Sequence, residues 1–74
     1  MNKYIIPICD IDNSKVYIKL IMAKSTSECQ EKLMSYLINT YNIDDTSLNY
    51  REFINLIDTK YNILVGKITD SEEI

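Results

Sequence analysis

The stretch Ser25-Thr-Ser-Glu-Cys-Gln-Glu-Lys-Leu-Met-Ser-Tyr-Leu-Ile-Asn-Thr-Tyr41 decides how this 74-residue chain folds. Ser25 and Glu28 have the S-x-x-E spacing of a capping box, in which the hydroxyl accepts from the N–H three residues on and the carboxylate reaches back. Such a cap contributes about 1 kcal/mol and fixes where the helix starts. Cys29, Leu33, Tyr36, Leu37 and Tyr41 then recur at the 3.6-residue period, and Met34 and Ile38 widen the stripe. Glu28 and Lys32 form an i,i+4 pair on the outer side. An apolar stripe this wide has to be covered, so a sheet is expected beneath it.

Upstream, Lys3 to about Asp10 reads as a strand carrying Tyr4, Ile5, Ile6 and Ile8. Pro7 has no N–H for a ladder, so this strand is expected at a sheet edge, or with a bulge at that point. Asp10 to Ser14 is a turn cluster. Lys15 to Ala23 alternates strictly, with Val16, Ile18, Leu20 and Met22 on one face and Lys15, Tyr17 and Lys19 on the other. The apolar set is expected against the core and the basic, tyrosine-bearing set on the open face of the sheet. The two strands should pair as a hairpin.

Downstream, the long helix ends near Asn42, and Thr46 or Ser47 is expected to cap a second one. Tyr50, Phe53, Ile54 and Ile57 match i, i+3, i+4, i+7. A strand over residues 50–57 fits less well, because alternation fails at Phe53-Ile54 and Leu56-Ile57. Tyr61 to Ile68 is β-rich, and Gly66 within it marks a bulge or a close backbone approach. Residues 70–74 form a short acidic tail. The expected fold is α+β: one two-layer domain over residues 1–74, with a three-stranded antiparallel sheet (β-β-α-α-β) and two helices on one face. The proline places the first strand at the edge and favours the sheet order first-second-third.

Composition narrows the function classes. The net charge is −3, with seven acids against three cations after residue 37. A mildly acidic chain argues against nucleic-acid binding, which draws most of its non-specific affinity from phosphate contacts. The chain has no His, which removes Ser-His-Asp, Cys-His and His-based metal arrangements. One Gly leaves no room for a glycine-rich phosphate loop. Asp10-x-Asp12-Asn13 begins like a calcium loop, but the sixth position is Lys15 and the twelfth Ile21, where Gly and Glu are needed. No catalytic, cofactor or metal site is therefore expected.

Two cysteines, Cys9 and Cys29, without a recognisable secretion signal read as reduced thiols in a cytoplasmic protein. No apolar run approaches the ~18 residues that span a membrane. Ile, Asn, Lys and Tyr, all with AT-rich codons, make up 33 residues, which suggests a low-GC bacterium or a phage or plasmid within one.

The leading expectation is a small non-enzymatic protein-binding module, such as a phage- or plasmid-encoded inhibitor or adaptor that occludes or bridges a protein partner. The first alternative is a structural or assembly subunit, a homo-oligomer or virion component. The second is a weak single-stranded nucleic-acid binder that uses the open sheet face. Candidate partner-binding residues are Lys15, Tyr17 and Lys19 on that face, and Asp70, Glu72 and Glu73 in the acidic tail.

Overall fold

The computed structural model describes residues 1–44 and 48–73, and of Glu73 the backbone only. Strand β1 (Asn2–Asp10) turns through residues 11–14 into β2 (Lys15–Ala23). Helices α1 (Thr26–Tyr41) and α2 (Tyr50–Tyr61) follow, then β3 (Ile63–Val65), β4 (Thr69–Asp70) and a 3-10 turn (Ser71–Glu73). The result is an α+β fold in β-β-α-α-β order, with both helices on one face of an antiparallel sheet.

Ser25 caps α1 by accepting from the Glu28 N–H at 3.2 Å, but the expected return contact of the box is not formed, because the Glu28 carboxylate lies 3.2 Å from Lys32 instead. Cys29, Leu33 and Leu37 are its buried residues. Helix α2 starts later than the sequence suggests. Its cap is Asn49, in a reciprocal box with Glu52, while Thr46 and Ser47 lie outside the described residues. Phe53 and Ile57 point into the core. Both helices end on an asparagine in the left-handed region, Asn42 and Asn62, each with φ of 54°. In a chain with one glycine, asparagine is the residue best able to take that role.

The sheet order is β2-β1-β3, with β4 also paired to β1, so the proline-bearing strand is central and the expected order first-second-third is corrected. The reason lies opposite Pro7. The pairs Ile8–Val65 and Ile5–Thr69 leave residues 6 and 7 of β1 facing three residues, 66 to 68. That extra residue is a β-bulge, and the ladder is broken where Pro7 has no N–H to offer. The Pro7 carbonyl still accepts from the Gly66 N–H at 2.8 Å. A Cβ on Gly66 would overlap Pro7 Cγ, so the glycine is needed for close approach to the ring. The β-rich run from Tyr61 to Ile68 is therefore split. Asp70, expected in a free tail, is the last residue of β4, opposite Tyr4.

The core lies between sheet and helices. Tyr4, Ile6 and Ile8 of β1, Ile21 and Ala23 of β2 and Ile63 of β3 meet Cys29, Leu33, Leu37, Phe53 and Ile57.

Candidate interaction surface

Cross-strand neighbours in an antiparallel pair share a face. The hairpin pairs Asp10 with Lys15, Ile8 with Tyr17, Ile6 with Lys19 and Tyr4 with Ile21. Tyr4, Ile6 and Ile8 are buried under the helices, so Lys15, Tyr17, Lys19, Ile21 and Ala23 stand on the helix side. The expectation for β2 is thereby inverted. Val16, Ile18, Leu20 and Met22 occupy the open face, 77, 63, 54 and 47 % exposed, with Leu64 of β3 at 43 %. Ile5, Pro7 and Cys9 of β1 fill the space between them, because they pair with Leu20, Ile18 and Val16. Among the strand residues on this face only Lys3, at one corner, carries charge. Individual exposed aliphatics are ordinary on protein surfaces, but a contiguous apolar sheet face marks an interaction site.

Among the described residues no strand pairs with the outer edge of β2. Directly opposed residues of an antiparallel pair point their backbone groups either at one another or both away. The Pro7 carbonyl points to Gly66, so its partner Ile18 points its N–H and C=O outward, as do Val16, Leu20 and Met22. At the Met22 end the edge is closed by Lys32, whose ammonium donates to the Met22 carbonyl at 2.7 Å. Val16, Ile18 and Leu20 thus supply both the apolar face and the free backbone edge.

Lys19 and Tyr17 are engaged on the helix side. The Lys19 ammonium sits 4.1 Å from the centre of the Tyr36 ring. The Tyr17 hydroxyl is 2.9 Å from that of Tyr41 and accepts from Tyr36 at 3.3 Å. Burial, reinforced by these two hydroxyls, pushes the Tyr17 phenol well above its ordinary value. Burial raises Tyr41 too, with the Asp10 carboxylate adding to it against the opposing Tyr17 hydrogen bond. Lys15 and Asp10 border the same tyrosine corner. Asp10 is buried and accepts from the Asn13 side chain at 2.8 Å, the ordinary role of an Asx residue opening a turn.

The remaining groups do not converge. Cys29 is buried, and burial raises its thiol against the opposing pull of Lys32, as expected of an inert core cysteine. Asp70 accepts from the Glu72 N–H at 3.0 Å and starts the final 3-10 turn. Glu72 is exposed, and the side chain of Glu73 lies outside what is described. Among the described residues no group of three His, Cys, Asp or Glu side chains could hold a metal ion, and no helix is long and apolar enough to cross a membrane. A shallow groove where α2 meets the β3–β4 bulge carries Arg51 and Lys67 at its rim.

Sequence reasoning found the alternation of β2 and missed its side. The signal was available in the register: with Asp10 opposite Lys15, the apolar even-numbered residues of β1 force the odd-numbered residues of β2 onto the core side. No protein-family model matches this chain, and no similar protein was found among curated proteins or solved structures.

Proposed function

We propose that this protein is a non-catalytic protein-binding module whose contact surface is the open sheet face. The observation that carries the reading is the block of Val16, Ile18, Leu20, Met22 and Leu64, left bare beside an unpaired strand edge. Removing such surface from water is worth roughly 25 cal/mol per Å2, so a complementary apolar partner gains directly from covering it. An inhibitor or adaptor that occludes or bridges its partner fits this surface, and the AT-rich usage favours a phage or plasmid setting in a low-GC bacterium. The nucleic-acid alternative loses its support, because Lys15, Tyr17 and Lys19 are turned away from the open face and Lys19 is held over Tyr36.

The test is affinity capture from a low-GC bacterial lysate with nuclease present, using wild type, Ile18→Asp and Leu20→Asp. A stoichiometric chain held by wild type and lost by both variants is the expected result, whether it is a lysate protein or an added untagged copy of this chain. Capture that survives both substitutions overturns the assignment of this face. Glu72→Gln, outside it, should leave capture unchanged.

A further inference from the structure

We infer that the occupant of the open face is a second copy of this chain, packed face to face about a two-fold axis. The inference rests on the open face being a contact surface and names its partner. Three features select the second copy over an unrelated protein.

The first is chemistry. Transient recognition surfaces are enriched in Tyr, Trp and Arg, whereas permanent homodimer interfaces resemble a domain core cut in half. Here the open face is Val, Ile, Leu, Met, Pro and Cys. Phe53 and Ile57 belong to the helix-side core, all six tyrosines lie on the helix side or on the helices, and the single Arg is on α2.

The second feature is size. Two nine-residue strands at ~3.4 Å per residue, with the short β3 and β4 end to end beside β1 and strands ~4.8 Å apart, make a face of about 30 by 14 Å. That is about 420 Å2 in projection, which side-chain relief enlarges towards the ~800 Å2 per partner of a standard stable interface.

The third is charge. Across a two-fold axis residue i meets j and j meets i, and only the patch on the axis meets itself, so an uncharged face is self-complementary without any matching of opposite charges. This one carries a single corner lysine, Lys3, and the other charged strand residues, Asp10, Lys15, Lys19 and Asp70, stand on the opposite side of the sheet. With the axis near the Pro7–Ile18 pair, Ile18 and Leu20 of one copy meet those of the other. The product is a four-layer α/β/β/α sandwich, its sheets ~10 Å apart and aligned within about 30°. Pairing along the free β2 edges would instead leave both apolar faces bare.

The test is sedimentation equilibrium of the full chain across the micromolar range. The expected mass is twice 8.7 kDa, falling towards 8.7 kDa on dilution, and Ile18→Asp should give 8.7 kDa at all concentrations with its helical circular dichroism retained. If that variant fails to fold, a wild-type sample mixed from methyl-labelled and unlabelled chains decides. Intermolecular contacts among Ile18, Leu20, Met22 and Leu64 methyls are expected. A single 8.7 kDa species throughout overturns the dimer. So does a dimer lacking those contacts in which the Val16, Ile18 and Leu20 amides become protected from exchange, the sign of edge pairing. A monomer whose Ile18→Asp variant still loses a captured foreign protein overturns the second copy and leaves the contact-surface reading standing. A monomer whose capture is indifferent to Ile18→Asp overturns both.

Discussion

The two faces of this sheet are both apolar, and only one has helices over it. On the covered side, Tyr4, Ile6, Ile8, Ile21 and Ile63 meet Phe53 and Leu33 and are almost wholly buried. On the bare side, Val16, Ile18 and Leu20 stand more than half exposed. Apolar character therefore does not identify the inside of a two-layer domain. The inside is the face on which all strands agree, and that is set by pairing register rather than by the pattern of any one strand. β2 shows this most directly. Its stricter apolar set faces outward, and the set carrying Lys15 and Lys19 faces the helices, because β1 dictates the register.

Truncation separates the two faces most. Phe53→Ala removes the largest fully buried side chain and should cost about 3–5 kcal/mol, enough to leave a domain of this size largely unfolded. Ile18→Ala deletes three carbons from the bare face, against six for Phe53→Ala. In dilute protein it should move stability by no more than about 0.5 kcal/mol. At concentrations where the face is covered the same substitution should become destabilising, since association stabilises the folded chain by mass action. Urea midpoints at two protein concentrations check both. An Ile18→Ala effect as large as that of Phe53→Ala in dilute protein would mean that the two faces are not distinct.

The middle of the sheet gives a smaller effect of a different kind. Gly66→Ala would drive a methyl into Pro7 Cγ, with Pro7 Cδ 3.3 Å away. Overpacking of this sort costs about 1–3 kcal/mol. The φ of Gly66 is not positive, so the penalty comes from the ring alone. Adding Pro7→Ala should restore most of the loss, which a double-mutant cycle reads as coupling. Additive losses would separate the bulge from the proline.

How far the chain could be read in advance follows the same division between local and non-local information. The α1 cap, the start and end of α1, and the Phe53 and Ile57 face of α2 depend on residues a few positions apart, and they were legible. Strand order was not, because Pro7 is compatible with either an edge or a bulge. The choice was made by Gly66 to Ile68, some sixty residues later, which supply the bulge. The second cap was misplaced because Asn49, Thr46 and Ser47 are all good capping residues, and only Asn49 stands three residues before Glu52. The open face was the largest loss. Its residues were identified and its side was not, since a one-residue change of register exchanges the two faces while leaving the alternation intact.

The smallest expected effect is at β2 itself, where the helix side carries Tyr17 and Lys19 beside Ile21 and Ala23. Tyr17→Phe removes the hydroxyl that Tyr36 and Tyr41 share and should cost about 1 kcal/mol at neutral pH, as for a typical intramolecular hydrogen bond. Its pH dependence tells more. Burial raises the phenols of Tyr17, Tyr41 and Tyr50 in the folded chain, whereas the unfolded chain titrates near 10. Above pH 10 the unfolded state therefore loses its tyrosyl protons first and binds fewer than the folded state. Stability present below that point falls as the pH rises through the window. Tyr17→Phe removes one titrating group with a raised folded-state value, so its stability should fall less steeply with pH than that of wild type. Denaturant midpoints taken from neutral pH to beyond 10 measure this. Parallel curves for the two proteins would place the Tyr17 hydroxyl in contact with solvent, and the helix side of β2 would then be as open as the apolar face behind it.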